Sequence, residues 1–213
     1  MASHTDRFVH IGTDTKWQEI RSPWISLVGA DSNLRPDAFD LAFTEIDAET
    51  AETLDNCTFL DATATSVGGS FLRTNGRGMP VVTVGYPLNG TNYVASERRT
   101  HPEKVPFTGL SSADDAYARA KVDPRTHLVV DFPHDDVWIG DGVKTPRSLN
   151  GVSGGGMFSL PGIVDIGNVA PPRLVAIFIE HSKSLRTVVG VRTDLLFNAI
   201  DRSRADGPDR SRR

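Results

Sequence analysis

Residues 150–158 read Asn-Gly-Val-Ser-Gly-Gly-Gly-Met-Phe, which places Ser153 between glycines in a G-x-S-G-G pattern. Glycines at these positions let the backbone turn tightly and reach positive φ, and they keep side chains away from the serine hydroxyl. Such a turn can present Ser153 Oγ to a substrate while the amides of Gly151 and Ser153 point at one spot. Two donors aimed in this way form an oxyanion hole. The alternative interpretation is a flexible glycine loop in a β protein.

The bulk composition is that of an ordinary globular chain. Its 213 residues are 38% hydrophobic and carry a net charge of −4, which gives no reason to expect nucleic acid as a partner. Cys57 is the only cysteine, so no internal disulfide can form. No apolar run approaches the length of a membrane span, and the first 20 residues show no signal peptide. We expect a cytoplasmic protein if Met1 is the natural start.

Short segments with a period of two dominate the chain, and glycine, proline, asparagine and aspartate separate them. Many short strands at this spacing predict a mostly β protein built as a barrel or sandwich. The predicted strands are Phe8–Ile11, Trp24–Val28, Phe39–Ile46, Pro80–Tyr86, His127–Phe132, Met157–Leu160, Arg173–His181 and Thr187–Arg192.

Two stretches have the features of helices. Ser111–Lys121 has a serine cap, early aspartates and late basic residues, and Pro124 ends it. Thr193–Arg202 follows the last strand with Thr193 as its N-cap, and it predicts a C-terminal helix that packs by one face. Residues 87–110 are polar and proline-containing, and we expect them to form an irregular insertion loop.

Four segments, in addition to the glycine turn, resemble parts of trypsin-like (chymotrypsin-fold) serine peptidases of the bacterial type. Residues 39–47 resemble the strand start that carries the orienting aspartate, and residues 79–87 resemble the first strand of the second barrel. Residues 174–181 resemble the strand that lines the substrate cleft, and residues 189–192 resemble the final strand before the C-terminal helix. The pieces occur in the family's order and cover the chain from about Phe8 to Ile200.

The resemblance implies two six-stranded antiparallel barrels with a C-terminal helix, the first barrel being incomplete. Residues 1–65 then form the first, partial barrel and residues 66–77 a linker. Residues 78–202 form the second barrel with its helix, and residues 203–213 a flexible tail.

The resemblance also implies a catalytic triad and proteolysis through an acyl-enzyme. The family's order of histidine, aspartate and serine places Asp40 and Ser153 in the last two roles and leaves His4 and His10 for the base. Ala2-Ser3-His4 fits the small-residue run that precedes the family's histidine, so we take His4 as the general base. His10 lies inside a predicted strand and is the alternative.

The implied substrate is a peptide or protein. The position six residues before the nucleophile often forms the floor of the primary specificity pocket, and here it is Arg147, which disfavours basic side chains and is suited to acidic ones. Ile179, Glu180 and His181 are expected along the cleft, on a strand that pairs with extended peptide backbone. No metal-ligand or phosphate-loop pattern occurs, so we expect neither metal nor cofactor.

Two departures from the family bear on activity. Only three residues precede His4, where the family has several strands, and a truncated N-terminus would explain this. Val152 occupies the position where many animal members have an aspartate that pairs with a newly cut N-terminal amine. Activation by that ion pair is therefore not expected.

Two other functions compete with a serine peptidase. Residues 151–155 also match the G-x-S-x-G motif of α/β-hydrolase esterases, with Asp165 and His181 as later partners, but that motif needs a helix after the serine. The second alternative is an inactive remnant of the protease fold that binds peptides or a protein partner without cutting them.

Overall fold

The computed structural model describes residues 9–12, 17–20, 25–26, 41–52, 73–74, 77–85, 91–94, 99–102, 105–132, 137–139, 142–144, 149–160 and 171–205. Strands predominate among them. The strands are β1 (Val9–Gly12), β2 (Trp17–Ile20), β3 (Ile25–Ser26), β4 (Ala42–Phe43), β5 (Arg73–Thr74), β6 (Arg77–Gly78), β7 (Pro80–Gly85), β8 (Thr91–Val94), β9 (Arg99–Pro102), β10 (Val105–Leu110), β11 (His127–Asp131), β12 (Val137–Ile139), β13 (Gly142–Lys144), β14 (Gly156–Ser159), β15 (Arg173–Ser182) and β16 (Thr187–Arg192). The helices are α1 (Ala48–Glu52), α2 (Asp114–Ala120) and α3 (Thr193–Ala205).

Six of these strands form one antiparallel sheet, curved as a half-barrel, in the order β10-β7-β14-β15-β16-β11. The connection between β11 and β14 is long, and it returns the chain so that β14 pairs with β7, as in a Greek key. The remaining described strands form separate two-stranded pairs. The predicted mostly β class is therefore confirmed, together with one six-stranded antiparallel sheet and a C-terminal helix.

The two outer strands of the sheet approach each other at one end. Ser111, just after β10, forms an antiparallel bridge with Val130 of β11, and the amide of Ser112 donates to the carbonyl of Val129 at 2.9 Å. A Cβ on Gly109 would overlap the carbonyl oxygen of Asp131, so only glycine permits this approach.

Side chains of the sheet, of α2 and of the Ser153 turn form two apolar clusters, which lie on opposite faces of β11 and β16. The interior cluster comprises Val81, Phe107, Leu128, Val130, Phe132, Leu149, Val152, Met157, Val175, Ala176, Phe178 and Val188. The outer cluster comprises Ala116, Tyr117, Ala120, Val122, Val129, Ile179, Val189 and Val191, with Leu41, Leu185 and Leu195 packed against it. Because β16 is covered on both faces, it reads as the continuous apolar run Val-Val-Gly-Val rather than as an alternating strand.

Most of the predicted strands are confirmed, including Thr187–Arg192 with the same bounds. Of the long strand predicted over Phe39–Ile46, the described part contains only Ala42–Phe43, and the prediction is wrong for residues 44–46. Its end gives way to α1 because the Asp47 carboxylate accepts the Thr50 amide at 2.6 Å, which caps that helix.

The prediction that residues 87–110 form an irregular loop is also wrong. β8 and β9 form a hairpin in this segment, and β10 is an outer strand of the main sheet with β7 as its ladder partner. Pro106 and Gly109 made this segment look unlike a strand. Both are tolerated at an outer strand, because such a strand has a ladder partner on one side only and can accommodate a proline, which has no N–H to donate.

The serine cap predicted for the first helix is wrong as well. α2 begins at Asp114, and Ala113 at its N-cap makes no side-chain hydrogen bond. The serine hydroxyls bind elsewhere: Ser111 Oγ accepts the amide of Met79 at 2.9 Å, and Ser112 Oγ donates to the carboxylate of Asp131.

The C-terminal helix is confirmed as Thr193–Ala205, and an ion pair between the buried Arg192 and the partly buried Asp194 fixes its start. The Arg192 side chain, 9% exposed, donates from Nη2 to Asp194 Oδ2 at 2.8 Å and from Nη1 to the carbonyl of Pro124. The Thr193 hydroxyl donates to the carbonyl of Val175 at 3.3 Å instead of capping the helix as predicted. α3 is thereby joined to the sheet at its first turn.

Lys121 ends α2 with φ 55°, in the left-handed region that favours glycine. We expect Lys121→Gly to stabilise the protein by about 0.5–1 kcal/mol because it removes this strain. Lys121→Ala retains the Cβ and is expected to give no gain. Urea denaturation of the two variants checks this, and equal stability would contradict it.

Asp194→Ala leaves the buried Arg192 guanidinium without its carboxylate, and we expect a loss of about 2–4 kcal/mol in the free energy of unfolding. Asp115→Ala is the matched control, because it removes an exposed pair with Arg119 whose side chains are 66% and 56% exposed. That control is expected to cost less than about 0.5 kcal/mol. Similar losses in both variants, measured by urea denaturation, would show that the Arg192–Asp194 pair contributes no more to stability than an exposed ion pair.

Candidate active site

The turn around Ser153 uses glycine where the backbone demands it. Gly151 and Gly154 both have φ of 90°, a conformation that residues with a Cβ rarely adopt. The amide of Val152 donates to the carbonyl of Leu149 at 3.1 Å, and the amide of Gly155 donates to the carbonyl of Val152 at 2.8 Å. The segment is therefore a defined turn and not a flexible glycine loop.

Two backbone hydrogen bonds fasten this turn to β15. The amide of Gly154 donates to the carbonyl of Phe178 at 2.9 Å, and the amide of Phe178 donates to the carbonyl of Gly155 at 2.8 Å. Since β14 pairs with β15 only as far as Gly156 opposite Ile177, these bonds extend the pairing from the strand into the turn. Ser153 is thus held at a fixed place relative to β15.

Val152 attaches the turn to the interior of the sheet. Its side chain is 1% exposed and belongs to the interior cluster. A Cβ placed on Gly85 at the end of β7 would lie 2.6 Å from Cγ1 of Val152, so the glycine gives this side chain its room. The same packing explains why an apolar residue precedes the serine here.

Ser153 itself is exposed at the tip of the turn, as is Gly151. Within the described residues, the amides of Gly151 and Ser153 donate to no acceptor, whereas those of Val152, Gly154 and Gly155 all do. An exposed hydroxyl beside two backbone amides that have no acceptor in the described part of the chain is an arrangement that can serve as an oxyanion site.

The residues predicted to line the cleft lie on β15, directly after the attachment of the turn. A bulge falls between Phe178 and Glu180, where Ile179 is the extra residue opposite β16. The bulge shifts the alternation by one, so that both Phe178 and His181 face the interior cluster while Ile179 joins the outer one. The His181 ring packs edge-on against Phe132, with ring centroids 5.0 Å apart.

The turn that carries Gly151 and Ser153 is hydrogen-bonded to Phe178, the residue before Ile179. Several other predicted site residues lie outside the described residues. These are His4, Asp40 and Arg147. His10 lies on β1, opposite Glu19 of β2 in the register of that pair. Leu41, the residue after Asp40 in the sequence, packs against the outer cluster that also contains Ile179.

The turn does not have the structural context of an α/β-hydrolase. Residues 156–159 after the turn form a strand of an antiparallel sheet, where that class requires a helix. Asp165, the acid predicted for this alternative, lies outside the described residues.

Sequence reasoning missed Gly85 and Phe178, which hold the turn in place. Phe178 contributes through its backbone groups, which any residue type would supply, so the sequence does not indicate this contact. Gly85 ends a strand next to Tyr86 and Pro87, so a glycine there also has the ordinary meaning of a strand terminus.

Among the described residues, no three His, Cys, Asp or Glu side chains group so that they could hold a metal ion. No helix in this part of the chain has the length and hydrophobicity needed to cross a bilayer.

Comparison with protein-family models gives no match, and comparison with curated proteins gives none either. Function is therefore inferred from the geometry around Ser153.

Gly85→Ala places a methyl group against Val152, and we expect a loss of about 1–3 kcal/mol in the free energy of unfolding because the turn must shift. Val152→Ala makes room for that methyl group. In the double variant the two costs should fall short of their sum by about 1 kcal/mol, a coupling typical of contacting residues. Additive costs in urea denaturation would contradict this contact.

Proposed function

We propose that the chain is a serine endopeptidase-like hydrolase that cleaves peptide bonds through an acyl-enzyme. One observation carries the proposal: Ser153 is exposed on a turn whose two adjacent amides have no acceptor among the described residues, and the turn is fastened to β15 by paired backbone hydrogen bonds. Fixed donors of this kind stabilise the negative charge that develops on a substrate carbonyl oxygen.

The chymotrypsin fold belongs to the same proposal. A six-stranded antiparallel sheet whose outer strands meet at one end, followed by a C-terminal helix, supports the second barrel of that fold. The first, incomplete barrel would come from residues 1–65.

In the proposed reaction, Ser153 Oγ attacks the carbonyl carbon of a peptide bond while His4 takes the hydroxyl proton. The amides of Gly151 and Ser153 bind the resulting oxyanion. His4 then gives the proton to the leaving amine as the C–N bond breaks, and Asp40 holds the imidazole and stabilises its charged form. Water hydrolyses the ester by the same steps, which regenerates Ser153. His10 is the alternative base.

The substrate is proposed to lie along β15. Pairing with β14 and the turn ends at Phe178, and the strand continues through Ile179, Glu180 and His181 to Ser182. An extended peptide on this stretch would place its scissile bond next to Ser153. Arg147 is proposed to select the side chain at the bond, with a preference for acidic residues.

A fluorophosphonate probe, with intact mass as the readout, tests the proposal. We expect one adduct on the wild-type chain and none on Ser153→Ala. Ser184→Ala is the matched control, because Ser184 is also exposed but lies on the β15–β16 hairpin, and this variant should label like the wild type.

The same assay identifies the base. Loss of a general base typically slows such a step by about 100-fold or more, so His4→Ala should lose labelling while His10→Ala retains it. The reverse result would exchange their roles. No adduct on folded wild-type protein would reject the hydrolase and favour a peptide-binding remnant of the fold.

A further inference from the structure

The segment around Ser153 consists of two consecutive turns of the same kind. The amide of Val152 donates to the carbonyl of Leu149 at 3.1 Å, which closes the first four-residue turn. The amide of Gly155 donates to the carbonyl of Val152 at 2.8 Å, which closes the second. The third residue of each turn is a glycine with φ of 90°, Gly151 in the first and Gly154 in the second.

The signs of φ identify the type of both turns. Among the described residues other than glycine, only Lys121 and Arg186 have positive φ. Asn150 and Ser153, the second residues of the two turns, therefore have negative φ, and a negative φ followed by a positive φ is the pattern of a type II turn. Type I and type II turns share the closing hydrogen bond, but their central peptides differ by a rotation of about 180°.

The central peptide of the second turn is locked in its orientation. The amide of Gly154 donates to the carbonyl of Phe178 at 2.9 Å. Rotation of this peptide would remove the donor and turn the carbonyl of Ser153 towards the carbonyl of Phe178, so that two acceptors would face each other. The second turn therefore stays type II, and Ser153 stays where it is.

The central peptide of the first turn has no such lock. Within the described part of the chain, the amide of Gly151 donates to no acceptor. The two ends of the turn are held independently, because Leu149 and Val152 are 5% and 1% exposed and both belong to the interior cluster. Glycine adopts positive and negative φ about equally well, so the peptide between Asn150 and Gly151 can rotate while both ends remain in place.

We infer that the Asn150–Gly151 peptide is a two-state element of the site. The type II state, which the structure shows, presents the Gly151 amide, whereas the type I state presents the Asn150 carbonyl in its place. This inference rests on the proposed function, in which that amide binds the oxyanion. A substrate oxygen that accepts from Gly151 binds the type II state only, so it shifts the peptide towards that state while Ser153 remains fixed.

A comparison of stability tests the two-state element without any reference to catalysis. Gly151 and Gly154 are both exposed with φ of 90°, and a Cβ on Gly154 would meet no atom within 4 Å. Alanine disfavours this φ, and only the Gly151 peptide can respond by rotating without loss of a hydrogen bond. We expect Gly154→Ala to lower the urea concentration at the midpoint of unfolding by more than Gly151→Ala does. Equal shifts, or a larger shift for Gly151→Ala, overturn the inference.

The rate of fluorophosphonate labelling at Ser153 tests the link to the oxyanion site. Asparagine is larger than alanine but is better tolerated at the third position of a type II turn. We expect Gly151→Ala to slow labelling about 100-fold, the usual effect of losing one oxyanion donor, and Gly151→Asn to slow it no more than about tenfold. The opposite order would mean that side-chain size matters and the direction of the peptide does not, which also overturns the inference.

The two measurements separate failure of the inference from failure of the proposed function. No adduct on the folded wild-type chain refutes the proposed function and the oxyanion role of Gly151 with it, and the midpoint comparison then decides whether the peptide rotates. An adduct that forms at the wild-type rate in both Gly151 variants refutes the inference alone.

Discussion

The reciprocal hydrogen bonds between Phe178 and the Gly154–Gly155 backbone are the constraint on which the candidate site depends. They are made by main-chain groups and have the geometry of a strand ladder, so the turn is in effect an extension of the sheet. Each such bond contributes about 1 kcal/mol net, a modest amount, but together they fix both the distance and the direction of Ser153 relative to β15. β15, along which the substrate is proposed to lie, and Ser153 thus share one rigid frame.

The turn can lie this close to the sheet because glycines occupy the positions of close backbone approach, while an apolar side chain fills the space that they leave. Gly154 supplies the positive φ of the turn, and Gly85 leaves space beneath it. Val152 fills that space and connects the turn to the interior cluster, which buries the largest apolar side chains of the sheet. This burial stabilises the turn by about 25 cal/mol for each Å² of apolar surface removed from water.

The sequence predicts those features that rest on residue type. The β-branched residues of Thr187–Arg192 and the glycines around Ser153 predict a strand and a turn, and both are present. Pro106 and Gly109 have low strand propensity, so the sequence does not predict β10. The strand forms because the tertiary context at the outer position of the sheet outweighs local propensity. Backbone anchoring by Phe178 has no sequence signature at all. Asp40, His4 and Arg147 come from resemblance alone and remain predictions.

The extra residue at Ile179 makes the side-chain orientation in β15 depend on the number of residues in the strand, so that a deletion acts differently from a substitution. Side chains alternate between the two faces of a sheet, so the face on which Glu180 and His181 lie depends on whether an odd or an even number of residues separates them from Phe178. A single-residue deletion there would move each of the two side chains to the opposite face of the sheet while leaving the strand itself intact. In the hairpin at 183–186 the same deletion would be absorbed by the turn. Natural variation in this fold is thus expected to tolerate length changes at the hairpin and to exclude them four residues earlier.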